Sequence, residues 1–404
     1  MIPSHHDVDK RPVVLIGLAV GLSLLGDVSI YAILPVYHEV LGFGPIEVGI
    51  LLSANRWVRL VTNHLARRLS ERFRPRDLFA IALFFGSVIT LVYATAPPFW
   101  IFLIARMLWG LCWSFIRHTG VMTSISVGTA ENATGVLGVY NGTVQFGYIA
   151  GTLAGAAMFD TFGFSYAFVT MAIISVAAVV FDYAGFRLIP AQKQVPRKSP
   201  PLGRPRDLPM LVRSFITTCV GVGLLISTLG FALQERFGDT IEIGPIVIGI
   251  VTVNGVLIAL HYGINSVGSP ILGAGIDRIG RRAAEIVSFT TGSAALIVAA
   301  AFSRSPVLVP VIVVFFIANV ASRLSLMSRA GLAGSASFSR LISAADFGAA
   351  TGPLIGWFAI ERVGSPDTVF AIGAVLYAVA AVSAMVSRRE NEDSVETAGP
   401  PTPR

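Results

Sequence analysis

Charge is what this chain lacks. Only 13% of its 404 residues are Asp, Glu, Lys or Arg, against about 25% in a soluble globular protein. With 54% hydrophobic residues, so few charges cannot cover a water-soluble fold of this size. Cysteine is nearly absent as well. Cys112 and Cys219 both fall inside apolar runs, which excludes a disulfide framework and a cysteine-based metal site. The pair His5-His6 sits in a polar tail and makes no ligand set on its own. There is no phosphate-cradling Gly-rich loop ending in Lys-Ser or Lys-Thr, so ATP is not the energy source. No Ser/His/Asp arrangement, zinc-ligand spacing or paired catalytic carboxylates fall on neighbouring faces, and the chain does not read as an enzyme. No cofactor and no metal are expected.

Long apolar runs are what the chain has instead. Twelve recur, at about 12–37, 46–68, 77–96, 99–127, 135–159, 165–188, 210–234, 245–272, 283–302, 307–330, 339–360 and 366–387. A run of roughly 20 residues at 1.5 Å each spans the ~30 Å hydrocarbon core. Helices satisfy their own backbone groups in lipid, so almost no strand is expected. The first run follows Lys10-Arg11 but is too long for a signal segment and has no Ala-x-Ala end, so it is expected to stay as an anchor. The net charge of +7 raises nucleic acid as a partner, and its distribution argues against one. Of the 30 Lys and Arg, 22 lie on the side of both termini; Arg236, Arg304 and Arg362 lie on the other, and five are inside spans. The positive-inside rule then puts both termini in the cytoplasm of a cell (inner) membrane.

The most specific local pattern is Gly273-Ala-Gly-Ile-Asp-Arg-Ile-Gly-Arg-Arg282, between the eighth and ninth runs. Its charges cannot lie in hydrocarbon, so it is expected to form a short water-facing loop. The chain also repeats itself. Gly44-Pro45-Ile46 and Gly49-Ile50 recur 200 residues later as Gly244-Pro245-Ile246 and Gly249-Ile250. Phe146-Gly147, Gly151, Gly155 and Gly163 recur 201 residues later as Phe347-Gly348, Gly352, Gly356 and Gly364. Two halves follow: 1–188, and 210–404 with a short tail, joined by the polar, Pro- and Arg-rich linker 189–209.

The G-x-x-x-D-R-x-G-R-R pattern at 273–282 resembles the hairpin signature of the major facilitator superfamily. In the first half, Arg67-Arg68-Leu69-Ser70-Glu71-Arg72-Phe73-Arg74 keeps the acid and base at Glu71 and Arg72 and loses both glycines. Arg106-x-x-x-Gly110 is similar to the family's fourth-span element. Gly348-x-x-x-Gly352-Pro353-x-x-Gly356 is similar to its antiporter motif, but stands in the eleventh span instead of the fifth, which has Gly151-Thr152. The resemblance extends to the drug/proton antiporter branch. It implies an all-α membrane protein of twelve transmembrane helices, built as two six-helix repeats around a central cavity. It also implies gating hairpins at Glu71, Arg72, Gly273, Asp277, Arg278, Gly280 and Arg281, with Asp277 approaching the start of the fifth span near Thr134, and Glu71 the eleventh near Phe338. Gly147, Gly151, Gly348, Gly352, Pro353 and Gly356 form a packing motif, since small residues four apart let membrane helices approach.

Ionisable groups deep in a span cost at least ~2.5–3.5 kcal/mol and need a partner or a cavity. Asp27 and Arg56 each lie ten residues inside the far end of their runs, about 15 Å in, so an Asp27–Arg56 ion pair is expected, with Arg106 as a further partner. Arg59 lies one turn beyond Arg56. Arg106, Gly110, Trp113 and Arg117 share one face of the fourth span; Asn254, His261 and Asn265 share one of the eighth; Asn141 and Gln145 share one of the fifth. Tyr31, Asn55, Arg323 and Asp346 complete the candidate cavity. Asp27 and Asp346 are the candidate proton carriers.

The expected function is secondary active transport of a small organic solute by alternating access, as proton-coupled efflux. The expected partners are that solute, protons and the bilayer, with no nucleic acid, and the chain is expected to be a monomer. Five arginines against two acids in the candidate cavity favour an alternative, a symporter or facilitator for an organic anion or zwitterion. A non-transporting membrane sensor or enzyme on the same fold is the remaining alternative. Topology is checked by reporter fusions at Gly203 and after Arg404: both should report cytoplasm, and a signal from the opposite side for either overturns the orientation.

Overall fold

Apolar runs of this length form helices, and prolines at first-turn positions start several of them. Pro12, Pro45 and Pro75 stand at such positions, where the missing N–H costs nothing. The computed structural model describes residues 9–128, 133–189, 208–303 and 305–387. His5-His6, Arg304 and all but the ends of the 189–209 linker lie outside the described residues.

Twelve helical spans follow: Arg11–Tyr37, Pro45–Ser70, Pro75–Ala94, Phe99–Val127, Ala133–Phe162, Phe164–Arg187, Leu208–Phe237, Ile250–Ile279, Arg281–Ala301, Leu308–Leu332, Ser335–Val363 and Asp367–Val386. Nine are, among the described residues, long and apolar enough to cross a membrane on length and composition alone. The second and eleventh, which carry Arg56, Arg59 and Asp346, are not among the nine. Twelve alternating spans return the chain to the face where it began, here termed the terminal face.

The sequence reading needs correction at two places. Residues 246–249 do not begin the eighth span. Thr240–Ile243 (β1) and Ile246–Gly249 (β2) pair antiparallel about Gly244-Pro245, with Ile243 opposite Ile246. The alternating Ile and Val of this stretch suit a two-sided ribbon outside the bundle better than a buried helix. The charged decapeptide is also not a loop. The eighth span runs to Ile279, and the ninth begins at Arg281. Gly280 alone makes the turn, at φ +85°, a conformation glycine adopts at no steric cost.

The repeat is visible in the packing. Gly147 of the fifth span lies on Gly21 of the first, and Gly352 of the eleventh lies on Gly223 of the seventh. A Cβ at Gly223 would come within 2.7 Å of the Gly352 Cα. The neighbouring motif positions pack likewise: Gly151 on Leu25 and Val28, Gly348 on the Phe215 carbonyl, Gly356 on Thr228. Gly163 and Gly364 close the fifth and eleventh spans at φ +84° and +71°. Two π-helical stretches, Cys219–Leu225 and Ile264–Gly268, interrupt the seventh and eighth spans.

The halves meet away from the terminal face. There, the Thr252 N–H donates to Asp160 at 2.7 Å, Asn254 donates to the Ala32 carbonyl at 3.0 Å, and His38 sits edge-on to Trp357. Toward the terminal face they part. Asn141, one turn beyond Gln145, is exposed, and a Cβ at Gly138 or Gly142 would meet nothing within 4 Å.

This contrast predicts opposite responses to added bulk. Gly147→Val forces the first and fifth spans apart and should lower the melting temperature of purified protein, at a cost of about 1–3 kcal/mol. Gly138→Ala should not. Equal melting of both variants would show that the glycine crossing is not a constraint.

Candidate functional site

The site begins with one guanidinium. Arg106, on the fourth span, is fully buried and has three partners. It pairs with the Asp27 carboxylate of the first span, donates Nε to the Leu51 carbonyl at 3.0 Å, and reaches the Tyr31 hydroxyl at 3.3 Å. Asn55 adds a bond to the same Asp27 oxygen at 3.2 Å, and Tyr31 donates to the Leu52 carbonyl at 3.0 Å. Asp27 and Tyr31 can share the arginine because residues four apart lie on one helix face. Gly110, one turn from Arg106, lets the fourth span touch the backbone of the second, since a Cβ there would sit 2.9 Å from the Asn55 Cα.

The expected Asp27–Arg56 pair does not form. Arg56 turns to the other half, donating to the Ala349 carbonyl at 2.6 Å and toward the Val222 carbonyl at 3.4 Å, with its guanidinium 4.9 Å over the Tyr31 ring. The reason lies in the backbone. Pro353, inside the eleventh span, has no N–H for the carbonyl four residues before it. That carbonyl belongs to Ala349, and Arg56 takes it.

Arg56 and Arg106 are therefore part of the frame. The open, half-exposed part of the seam holds a smaller set. Arg117 meets Asp346 of the eleventh span at 3.3 Å, with side chains 38% and 25% exposed. Arg59 and Arg323 lie within electrostatic reach of the same carboxylate. Arg323 donates to the Asn265 amide oxygen at 3.3 Å. Gln145 donates to the Tyr262 carbonyl at 3.2 Å, beside the Tyr148–Tyr262 ring contact.

The other expected cavity residues divide. Asn254 belongs to the closed seam. His261 is buried against Phe316 and Tyr262, and Trp113 stacks on Trp109 at 5.5 Å. Asp277 and Arg278 are exposed, and no hydrogen bond or ion pair links Asp277 to a described residue. The Thr134 side chain, which Asp277 is expected to approach, lies outside the described residues. Arg281 donates to Ser328 at 2.8 Å, Gly273 has open space around it, and Glu71 and Arg72 are exposed where the second span ends.

One cluster escaped the sequence reading. Glu285, fully buried, accepts Arg329 at 2.8 Å and lies 3.2 Å from Arg213. Arg213 also donates to the Ser383 carbonyl and the Ser387 hydroxyl. Arg213 stands near the linker end of the seventh span and is 1% exposed. A glutamate four residues after Arg281 in an otherwise apolar run was the available signal.

Arg106→Gln should strand Asp27 in the bundle. Removing one partner of a buried pair costs about 3–5 kcal/mol. The double variant with Asp27→Asn should recover part of that loss in a thermal double-mutant cycle; strictly additive losses would mean the two groups are not coupled.

No curated protein matches the sequence. Solved structures do. A nucleoside transporter, NupG, superposes with TM-score 0.75 at 14% identity, over 93% of this chain and 98% of its own. A bacterial homolog of the human lysosomal transporter Spinster, in an inward-facing and unoccupied conformation, gives 0.72 at 13%, over 93% and 96%. The human organic anion transporter MFSD10 (TETRAN) gives 0.66 at 17%, over 93% and 99%. These likenesses establish the fold, twelve spans in two repeats. The family profile of the Major Facilitator Superfamily matches residues 16–338, and the chain belongs to that superfamily.

Proposed function

We propose that this transporter is a proton-coupled secondary carrier of a small organic solute, working by alternating access as an exporter of the drug/proton antiporter type. It acts as a monomer in the inner membrane, with both termini in the cytoplasm. On that orientation the terminal face is the cytoplasmic one, and the structure described is open inward. The carrying observation is Asp27: a carboxylate deep in the first span, held among the described residues by Arg106 and by Asn55, which is next in sequence to Arg56, the arginine that bonds across the halves. Protonation of Asp27 removes the charge that Arg106 and Asn55 hold. Those groups must then rearrange against Tyr31, whose ring also carries Arg56. A proton on one half thereby bears on a bond to the other.

The hairpin residues Glu71, Arg72, Asp277, Arg278 and Gly280 act at the opposite stage. When the cytoplasmic side closes, Asp277 meets the positive end of a helix from the other half. A second reading concerns the solute. With Arg56 and Arg106 bonded into the frame, Arg59, Arg117 and Arg323 face one acid, Asp346, which favours an organic anion or zwitterion. The nucleoside and organic anion carriers of similar fold are compatible with either solute.

Flux in proteoliposomes under an imposed pH gradient, with a panel of solutes, tests the proposal. Wild type should show gradient-driven transport. Asp27→Asn should still bind solute but lose its dependence on the gradient. Retained coupling in well-folded Asp27→Asn moves the proton site to Asp346.

A further inference from the structure

Four ion-paired contacts are formed between described residues, and only Arg117–Asp346 joins the two halves. It differs from the rest in other ways. The acids Asp27 and Glu285 are buried, whereas Asp346 is partly exposed together with Arg117 toward the open side. Both lie near mid-bundle. Arg117 is ten residues from the terminal end of its span, and Asp346 eleven from that of its own, about 15 Å in.

Charge at this point does not balance. Arg59, Arg117 and Arg323 come from the second, fourth and tenth spans, and Asp346 is the acid they share. Arg323 has a neutral partner in Asn265. The Arg59 Nε is buried without a hydrogen bond. Three guanidinium groups at this depth attract an anion and repel a cation, more strongly than in water because the surroundings screen less. Aromatic rings adjoin them. Phe347 follows Asp346 and stands edge-on to Trp57 at 5.3 Å, two residues before Arg59.

We propose that Asp346 is a displaceable counter-ion. An anionic group of the solute takes its place on Arg117, and the bond between the halves is released in the same event. The solute is a small organic anion with an aromatic or apolar body, held by Arg117 and Arg59 at its charged end and by Trp57 and Phe347 at the other. Exchange of one carboxylate for another anion keeps Arg117 paired throughout, and the released Asp346 carboxylate, 25% exposed, keeps the nearby charge of Arg59 and Arg323. The freed Asp346 stays on the eleventh span, next to the Gly348–Gly352 crossing. This inference rests on the transport reading above and gives it a solute class and a trigger.

The test uses the full chain in phosphatidylcholine nanodiscs with four probes: benzoate, phenylphosphonate, benzamide and benzyltrimethylammonium. Melting temperature and binding affinity are the readouts. Benzoate and phenylphosphonate should stabilise the wild type, and the cation should not. Asp346→Asn removes the internal competitor and should tighten anion binding about tenfold, which is about 1.4 kcal/mol. Asp346→Glu should keep wild-type affinity, and Arg117→Gln should lose the anion response. Asp346→Ser serves if the Asn variant does not melt cooperatively. Stabilisation by the cation, no anion response in folded wild type, or unchanged anion affinity in Asp346→Asn and Asp346→Ser would each overturn the proposal. Flux separates it from the wider reading. Gradient-driven transport with a cation preference sinks only the counter-ion exchange, while anion binding as stated without any flux sinks only the transport reading.

Discussion

The N-terminal half is organised by the partners that a buried guanidinium requires. Arg106 cannot be left in hydrocarbon without an anion and acceptors, and three spans bend to supply them. The first brings Asp27 and Tyr31, the second brings the Leu51 carbonyl and Asn55, and the fourth brings Gly110 to allow the approach. Such a set has little freedom to rearrange piecemeal, because each lost bond leaves a buried polar atom unpaired.

The C-terminal half solves the same crossing without charge. Asn319 of the tenth span donates to the Thr217 carbonyl of the seventh at 2.8 Å and touches the Tyr377 hydroxyl at 2.6 Å. Gly221 lies against its amide. This half also contains both π-helical stretches, where the regular ladder is already broken and its carbonyls are not all committed. Val222, one of the two carbonyls toward which Arg56 points, lies in the first of them. The halves are alike in topology and unlike at this crossing. The N-terminal half is fastened there by an ion pair, and the C-terminal half by neutral groups that leave backbone acceptors for Arg56.

Most of the fold was legible in the sequence because bilayer crossing imposes length and apolarity on each span, and both are countable. The repeat was legible for a related reason: the crossings along Gly147, Gly151 and Gly155 and along Gly348, Gly352 and Gly356 are too close for larger side chains, so the glycines recur at a fixed offset. The candidate site was legible only in part. Counting depth along a span finds Asp27 and Arg56 at one level but not which groups pair, because pairing depends on helix rotation. The burial of Arg213 was not legible, since a charge at a span end looks alike whether it faces water or Glu285. The short β-hairpin was missed because Ile-Val-Ile-Gly is apolar enough to pass for a helix start, and only the pairing with Thr240–Ile243 separates the two.

The proline of the eleventh span carries a consequence for how variation in this chain should be understood. The atom that Arg56 holds is a main-chain oxygen at Ala349, yet the residue that makes it available is Pro353. Changing the side chain at 349 leaves the acceptor in place; restoring an amide hydrogen at 353 returns it to its own helix. Two sequences could thus share every residue around Arg56 and differ in whether the halves are tied. The determinant is remote from the contact, one helical turn along, and contributes to it by what it cannot donate.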